Sequence, residues 1–445
     1  MKLYDPTRWL RSALLVLPLA AAPLVLDQAA VEFGLAPLSA AIAQESGGDQ
    51  RETRRTPALR NAVYEKLAEA QAAAEAQDLA GAARVLDDMI STSGKNELNS
   101  YELANVYNLY AFIHYSREDY TKALQAYENV IRQPDIPLAM EINTRYTVAQ
   151  LYFVQEQWQQ GVNALLAWFS MTENPSEDSY VLLGQGYYQL NDYPKALTNV
   201  EKAISLYKEK GKVPKEQWYN LARFLYFDKN DVTNAVRVLE ELLTHYPDKQ
   251  YWVQLSHMYG EQQREGDQLS AMEAAYVQNM LDKGSEQVTM AYLYLNAEVP
   301  YKAAKVMDKG LRDKSVEATS RNYEVLGNAY RQAQEIDKAI PAMAEAASRS
   351  EDGELFTRLG NIYLDGDDYK KAIDAITKGL ARGGVKRPDT ARLVLGMAYF
   401  NDKQYDKARE AFKAAARDER SAKPAAQWIK YMDSELDRQK QIQQG

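Results

Sequence analysis

Large apolar residues recur along this chain at i, i+3 and i+4, the spacing that gives a helix one apolar stripe, and the stripes themselves recur. The stretches DYTKALQAYENVI (119–131), DYPKALTNVEKAI (192–204), DYKKAIDAITKGL (368–380) and QYDKAREAFKAAA (404–416) vary one theme: an aromatic residue, two polar residues, an alanine, then a large residue four later. A second theme precedes it by about a helix and a turn: LLGQGYYQ at 182, LGNAYRQ at 326, LGNIYLD at 359 and LGMAYFN at 395. Anchored on the small residue of the first theme, the copies fall at Ala82, Ala123, Gly161, Ala196, Ala235, Ala271, Ala303, Ala339, Ala372 and Ala408. Twelve residues earlier stand Ala70, Ala111, Ala149, Gly184, Arg223, Tyr259, Ala291, Gly327, Gly360 and Gly396, small in eight of the ten. Near Tyr259 a register with Ser256 at the small position fits better and predicts a slightly longer turn. Three residues after the small position comes a tyrosine in most copies, from Tyr152 and Tyr187 through Tyr330, Tyr363 and Tyr399.

Small residues at two fixed positions are where a pair of helices crosses closely, and no such pair can bury its apolar face alone. The pattern therefore predicts an array over 57–416, with irregular links such as TENPSEDS, KEKGKVPKE and ARGGVKRPD accounting for the uneven spacing. Its ends need caps. Residues 417–445 place Trp428, Ile429, Met432 and Leu436 on one face of an otherwise polar final helix, and Leu59, Val63, Leu67 and Ala70 form the inner stripe of the first helix. Pro57 sits where that helix can begin, with Thr56 as its cap.

The Leu-Gly pair, the tyrosine and the later alanine resemble the tetratricopeptide repeat, about 34 residues of helix, turn and helix. The resemblance runs from about residue 60 to 416 and implies an all-α fold: a right-handed α-solenoid of about ten TPR-like helix-turn-helix repeats with a C-terminal capping helix. The family's terminal proline appears in place only as Pro247, with Pro134 one residue off. In this family the inner face of the first helices lines a concave groove. The positions one after and three before each small residue map there. They include Asn108 and Phe112, Tyr146 and Gln150, Val181 and Gln185, Asn220 and Phe224, Val288 and Tyr292, Glu324 and Asn328, and Thr357 and Asn361. Amides both donate to and accept from a peptide backbone, and aromatics add rigid contact area, so this face suits a segment of another protein. The plainer reading is that the amides keep a solvated groove soluble.

Composition removes most chemistry. The chain has 445 residues, no cysteine, three histidines and a formal net charge of −9, which excludes thiolate catalysis, cysteine zinc sites and a lipoprotein acylation cysteine, and argues against a general nucleic-acid binder. His114 stands at a repeat tyrosine position and His245 at a helix end, and no pair of histidines has ligand spacing. No Walker loop, dinucleotide fingerprint or nucleophile elbow is present; LGQG, LGNA and LGMA are repeat glycines. A non-enzymatic protein with no cofactor and no metal is expected. The 31 tyrosines are mostly explained by packing, as are Trp158, Trp168, Trp218, Trp252 and Trp428.

The N-terminus predicts export. Lys2, Arg8 and Arg11 precede an uncharged apolar run from Ala13 to Leu26, too short to span a membrane, and Ala41-Ile42-Ala43 offers a small-x-small cleavage site. A signal peptide over 1–43, cut after Ala43, and a basic linker over 44–56 are expected; an uncleaved inner-membrane anchor is the alternative. Arg51, Arg54, Arg55 and Arg60 cluster just beyond. The first three either solvate the approach to the first helix or form a tether for an acidic partner.

The runs RRTPALRNAVYEKLAEAQ, LNSYELANVYNLYAFIHYSREDYTKALQAYENVI, YVLLGQGYYQLNDYPKAL and KRPDTARLVLGMAYFNDKQYDKAREAF are similar to the exported tetratricopeptide proteins encoded beside TonB, ExbB and ExbD in Gram-negative bacteria. That resemblance implies a periplasmic accessory scaffold of a TonB-dependent system for uptake of iron complexes and other nutrients, with TonB, ExbB or ExbD as candidate partners. It identifies no catalytic residue. An envelope-assembly or polysaccharide-export scaffold is a second reading, and a sugar-binding or enzymatic module using the aromatic groove a third.

Overall fold

The computed structural model describes residues 57–134 and 136–444. The expected leader, the linker and Arg51, Arg54 and Arg55 lie outside the described residues. Within them the chain forms helices and turns, with no strand. Its two compact units meet between Leu225 and Tyr226. The first holds α1 (Asn61–Glu75), α2 (Leu79–Ile90), α3 (Ser100–Ser116), α4 (Tyr120–Arg132), α5 (Leu138–Val154), α6 (Trp158–Phe169), α7 (Glu177–Gln189) and α8 (Tyr193–Glu209). The boundary falls inside α9 (Glu216–Asp228). The second unit holds α10 (Val232–His245), α11 (Lys249–Glu261), α12 (Glu265–Val277), α13 (Gly284–Asn296), α14 (Pro300–Arg312), α15 (Ser320–Gln332) and α16 (Ile336–Ser348). It continues with α17 (Glu354–Asp365), α18 (Tyr369–Arg382), α19 (Pro388–Asn401), α20 (Tyr405–Ala415) and the long α21 (Glu419–Gln444). Inside each unit the helices form hairpins, and the second helix of one hairpin packs on the first helix of the next, so each unit is built as an α-solenoid.

The regular part of the repeat is the turn inside the hairpin. All ten such turns are three residues long, whereas the links between hairpins run from three to nine. In every turn the middle residue is left-handed, and none is glycine: Gln77, Glu118, Glu156, Asn191, Asn230, Gln263, Glu298, Gln334, Asp367 and Lys403 have φ between 57° and 65°. The residue after it donates its N–H back to a carbonyl five residues earlier, as in Asp192 to Tyr187 (2.9 Å), Glu335 to Tyr330 (2.9 Å) and Gln404 to Tyr399 (2.8 Å). This closes the first helix in the Schellman manner. That donor is also the cap of the second helix. Asp78, Asp119, Asp192, Asp231 and Asp368 each accept a backbone N–H three residues on with their side chains.

The crossings lie where the small residues predict. A Cβ added to Gly184 would stand 2.7 Å from Val200 Cγ2 and 3.1 Å from the Ala196 carbonyl, and one added to Gly327 would stand 3.1 Å from the Met343 nitrogen. All the alanine anchors are buried. One anchor is corrected. With Arg264 capping α12, the residue four beyond the cap is Gln268; Ala271 lies three further on. Ser256 donates its hydroxyl to the Gln268 carbonyl at 2.8 Å, so Ser256 does occupy the small position. Its turn is no longer than the others, because the side chain at the crossing changed and the backbone did not.

The start of the array is also corrected. α1 begins at Asn61, with Arg60 at its cap position making no side-chain cap bond; Pro57, beside Thr56, precedes the helix. Arg60 turns outward from the helix to clamp the fully buried Glu102: its Nε donates to Oε1 at 2.9 Å, its Nη2 to Oε2 at 2.6 Å and to the Glu97 carbonyl at 2.7 Å. At the other end α21 packs on α19 and α20. Met432 is buried with Phe412 and Ala415, and Trp428, Ile429 and Leu436 pack against them. Asp389, at the start of α19, is buried and receives Arg387 Nη2 at 2.6 Å and the Ser421 hydroxyl at 2.7 Å.

Candidate partner-binding face

Because α15 and α17 are the first helices of consecutive hairpins, contacts between them show how the inner rows lie. Near their starts Arg358 of α17 donates to Glu324 of α15, and also to Glu354 on its own helix through Nε at 3.3 Å. Near their ends Arg331 of α15 donates to Asp365 of α17 at 2.8 Å. Asn328 and Asn361 fall between these two ion pairs along their helices. Both are half-buried, and neither side chain makes a hydrogen bond among the described residues. Tyr292 holds the same position on α13 and is 37% exposed. One aromatic ring and two uncommitted amides therefore stand on successive hairpins, with arginines and carboxylates neutralised at the margins. Each amide offers a donor and an acceptor to an extended backbone.

The groove residues of the first unit are used differently. Asn108 and Gln185 are exposed and make no side-chain hydrogen bond, whereas Phe112 packs against the core of the first two hairpins. Tyr146 packs tilted against Trp168 with centroids 4.7 Å apart, and burial pushes its hydroxyl well above the usual tyrosine range. Phe224 packs edge-on against Tyr188 and Tyr193, and Asn220 is half-buried. Gln150 and Trp168 are both buried, and Gln150 Oε1 and Trp168 Nε1 have no hydrogen-bond partner among the described residues. The structure thus joins Tyr292, Asn328 and Asn361 into one open row, while the three aromatics of the first unit serve packing between helices.

Sequence reasoning missed a second constellation. In several hairpins the residue five after the crossing is a carboxylate that accepts a tyrosine hydroxyl from the next hairpin. Tyr152 donates to Glu128 at 2.8 Å, Tyr259 to Glu240 at 2.7 Å and Tyr294 to Glu273 at 2.6 Å; Tyr110 donates to Asp87. Burial and the carboxylate push the Tyr259 hydroxyl up to about 12. Lysines from the tyrosine's own hairpin lie over the rings: Lys195 over Tyr187, Lys302 over Tyr294, Lys338 over Tyr330, Lys371 over Tyr363 and Lys407 over Tyr399. Lys302 also reaches Glu273 at 2.7 Å. The signal was present as an acidic residue five after the anchor. Its meaning depended on knowing which helix of the next repeat lies beside it.

Of the histidines, His114 stacks on Tyr110 and burial lowers its pKa. His245 ends α10, and His257 lies 4.0 Å from Glu261 on its own helix. Among the described residues no three histidine or carboxylate side chains are grouped to hold a metal ion, and no helix is long and apolar enough to cross a membrane.

No curated protein sequence matches the chain. Solved structures that resemble it include MamA (18% identity, 39% of this chain and 97% of that one, TM-score 0.33). The APC/C hetero-tetramer Cut9-Hcn1 is another (14% identity, 85% and 91%, TM-score 0.31). A tetratricopeptide repeat protein from Parabacteroides merdae is a third (16% identity, 68% and 100%, TM-score 0.32). Residues 181–250, 325–383 and 357–424 match the tetratricopeptide repeat family model, so the hairpins of these segments are tetratricopeptide repeats.

Proposed function

We propose that this protein is a non-enzymatic scaffold that holds a segment of a protein partner along the row Tyr292, Asn328 and Asn361. The observation that carries this reading is a pair of uncommitted amides at the same position on successive hairpins, framed along their helices by Arg358–Glu324 and Arg331–Asp365. Tetratricopeptide repeats are built to present such faces, and an extended backbone matches the donor and acceptor of each amide. We further propose that the chain is exported to the periplasm, its leader cut after Ala43, as an accessory of a TonB-dependent uptake system. The support for this part is the sequence resemblance and the form of the N-terminus. The test is affinity capture from envelope extracts with TonB, ExbB and ExbD present or deleted, using the natural chain and an Asn328→Ala, Asn361→Ala double variant. Capture of one of these proteins, reduced about tenfold by the double variant, is expected. Recovery of none of them, with unchanged iron-complex uptake in a deletion strain, overturns the TonB assignment. Undiminished capture by the variant overturns the assignment of the face.

A further inference from the structure

Every helix among the described residues carries a charged side chain except α6, whose sequence is WQQGVNALLAWF. Its buried side is Gly161, Val162, Leu165 and Trp168. Its outer side, Gln159, Gln160, Asn163, Leu166 and Ala167, is exposed, and Gln159 donates to Asn163 at 3.1 Å. The neutral surface extends sideways. Two residues before and two after the crossing, α4 exposes Thr121 and Gln125, and α8 exposes Pro194 and Thr198. The nearby Lys122 and Lys195 are neutralised by Asp119 (2.9 Å) and Asp192 (2.7 Å) on their own hairpins. At the same two positions α18 carries Lys370 and Asp374 and α20 carries Asp406 and Glu410, whereas α12 carries Gly266 and Ser270.

Leu166 makes the exception sharper. It stands five residues after the crossing, where Asp87, Glu128, Glu240 and Glu273 each accept a tyrosine hydroxyl. Here the carboxylate is replaced by an aliphatic side chain left 43% exposed. Ala344, Thr377 and Lys413 also stand at this position in later hairpins, so the carboxylate is not constant; at α6 its replacement by an exposed aliphatic side chain adds apolar area to an uncharged face.

We infer that the outer face of α6, with its neutral flanks on α4 and α8, is a two-fold contact between two copies of this chain. A charged partner would bury its charges there unpaired. Two copies of a chain of net charge −9 repel over most of their surface, and a charge-free face removes that penalty. Amide side chains donate and accept equally, so a row of them is complementary to itself across a two-fold axis. The size is sufficient for a weak dimer. A twelve-residue helix is about 18 Å long, and three outer helices about 10 Å apart cover roughly 500 Å² per copy, or about 1,000 Å² in all, the lower limit for a specific interface.

Sedimentation equilibrium of the full chain from about 1 to about 100 μM tests the assignment. The weight-average mass is expected to rise from monomer to dimer across that range, and added salt should not weaken the dimer, because no ion pair is involved and screening reduces the repulsion between the two copies. Leu166→Glu and Asn163→Asp, both at exposed positions, should raise the dissociation constant at least about tenfold without lowering the thermal midpoint. Lys305→Glu on α14, in the second unit, should leave it unchanged. A mass that stays monomeric to the top of the range overturns the inference, whether or not another protein covers the face. So does a dimer that Leu166→Glu leaves intact. Neither result bears on the Asn328 and Asn361 row, which the capture experiment tests separately.

Discussion

Ten non-glycine residues in the left-handed conformation show at the residue scale how the fold accepts local cost. An L-residue with φ near 60° is disfavoured by about 1–2 kcal/mol, offset here by the backbone bonds that close each first helix. Glu156, at φ 57°, has an exposed side chain with no hydrogen bond or ion pair to lose. Glu156→Gly should therefore raise stability by about 0.5 kcal/mol, and Glu156→Val should lower it by about 1 kcal/mol or more, read as shifts of the urea midpoint. Arg60 shows the opposite economy, an exposed arginine holding a buried carboxylate. Burial raises the pKa of Glu102, but hydrogen bonds from the Arg60 side chain and from the Asn99 and Arg60 backbone lower it further than burial raises it. Glu102 therefore contributes stability above the ordinary carboxylate range and loses it as pH falls through the depressed folded value. Arg60→Ala should destabilise the chain at neutral pH and shrink or invert that acid limb, measured by urea unfolding between pH 3 and 7. The basic cluster that suggested a binding motif thus contains one residue whose role is structural. Nothing in the spacing of Arg60 and Glu102, 42 residues apart, announces their meeting.

At the element scale the hairpins were legible because their signal is local. A small residue, a tyrosine three later and an alanine twelve later all belong to one hairpin, and the structure puts each at its crossing or packing position. Gly184→Ala would force a methyl group to 2.7 Å from Val200, a distance real Cβ atoms do not show. A loss of about 1–3 kcal/mol is expected, measured by thermal or urea unfolding. The exception at Gln268 shows the limit of residue matching. The turn geometry, not the identity of the anchor, carries the register, and alanine at 271 was a coincidence of composition. The tyrosine to carboxylate bonds were not legible, because donor and acceptor sit on different hairpins. Tyr294→Phe should cost about 1–2 kcal/mol, and the cost should be largely absent in a Glu273→Ala background, a double-mutant cycle that isolates the pair.

For the whole molecule, stacking is both the source of stability and the reason ends need treatment. Deleting residues 417–445 would uncover Phe412, Ala408 and Ala415, now buried beneath Met432 and its neighbours, and leave Asp389 without Ser421. The truncated chain should unfold at a lower temperature and aggregate at micromolar concentration, as seen by light scattering. The candidate face was legible as a list of positions but not as a site. All its members follow from two offsets relative to the small residues. Yet three of its aromatics, Phe112, Tyr146 and Phe224, are spent on packing, whereas Tyr292, Asn328 and Asn361 remain open.

Helix period, hairpin boundaries, crossing points, the polar final helix and the absence of thiol chemistry are all properties of neighbouring residues, and a chain read in order contains them. Which carboxylate meets which tyrosine, which arginine caps which buried glutamate, which groove amides stay free and which outer helix shows an uncharged face depend on contacts between residues far apart in sequence. Those contacts exist only when hairpins stack, because a side chain's cost or use is set by the neighbours that remove it from water.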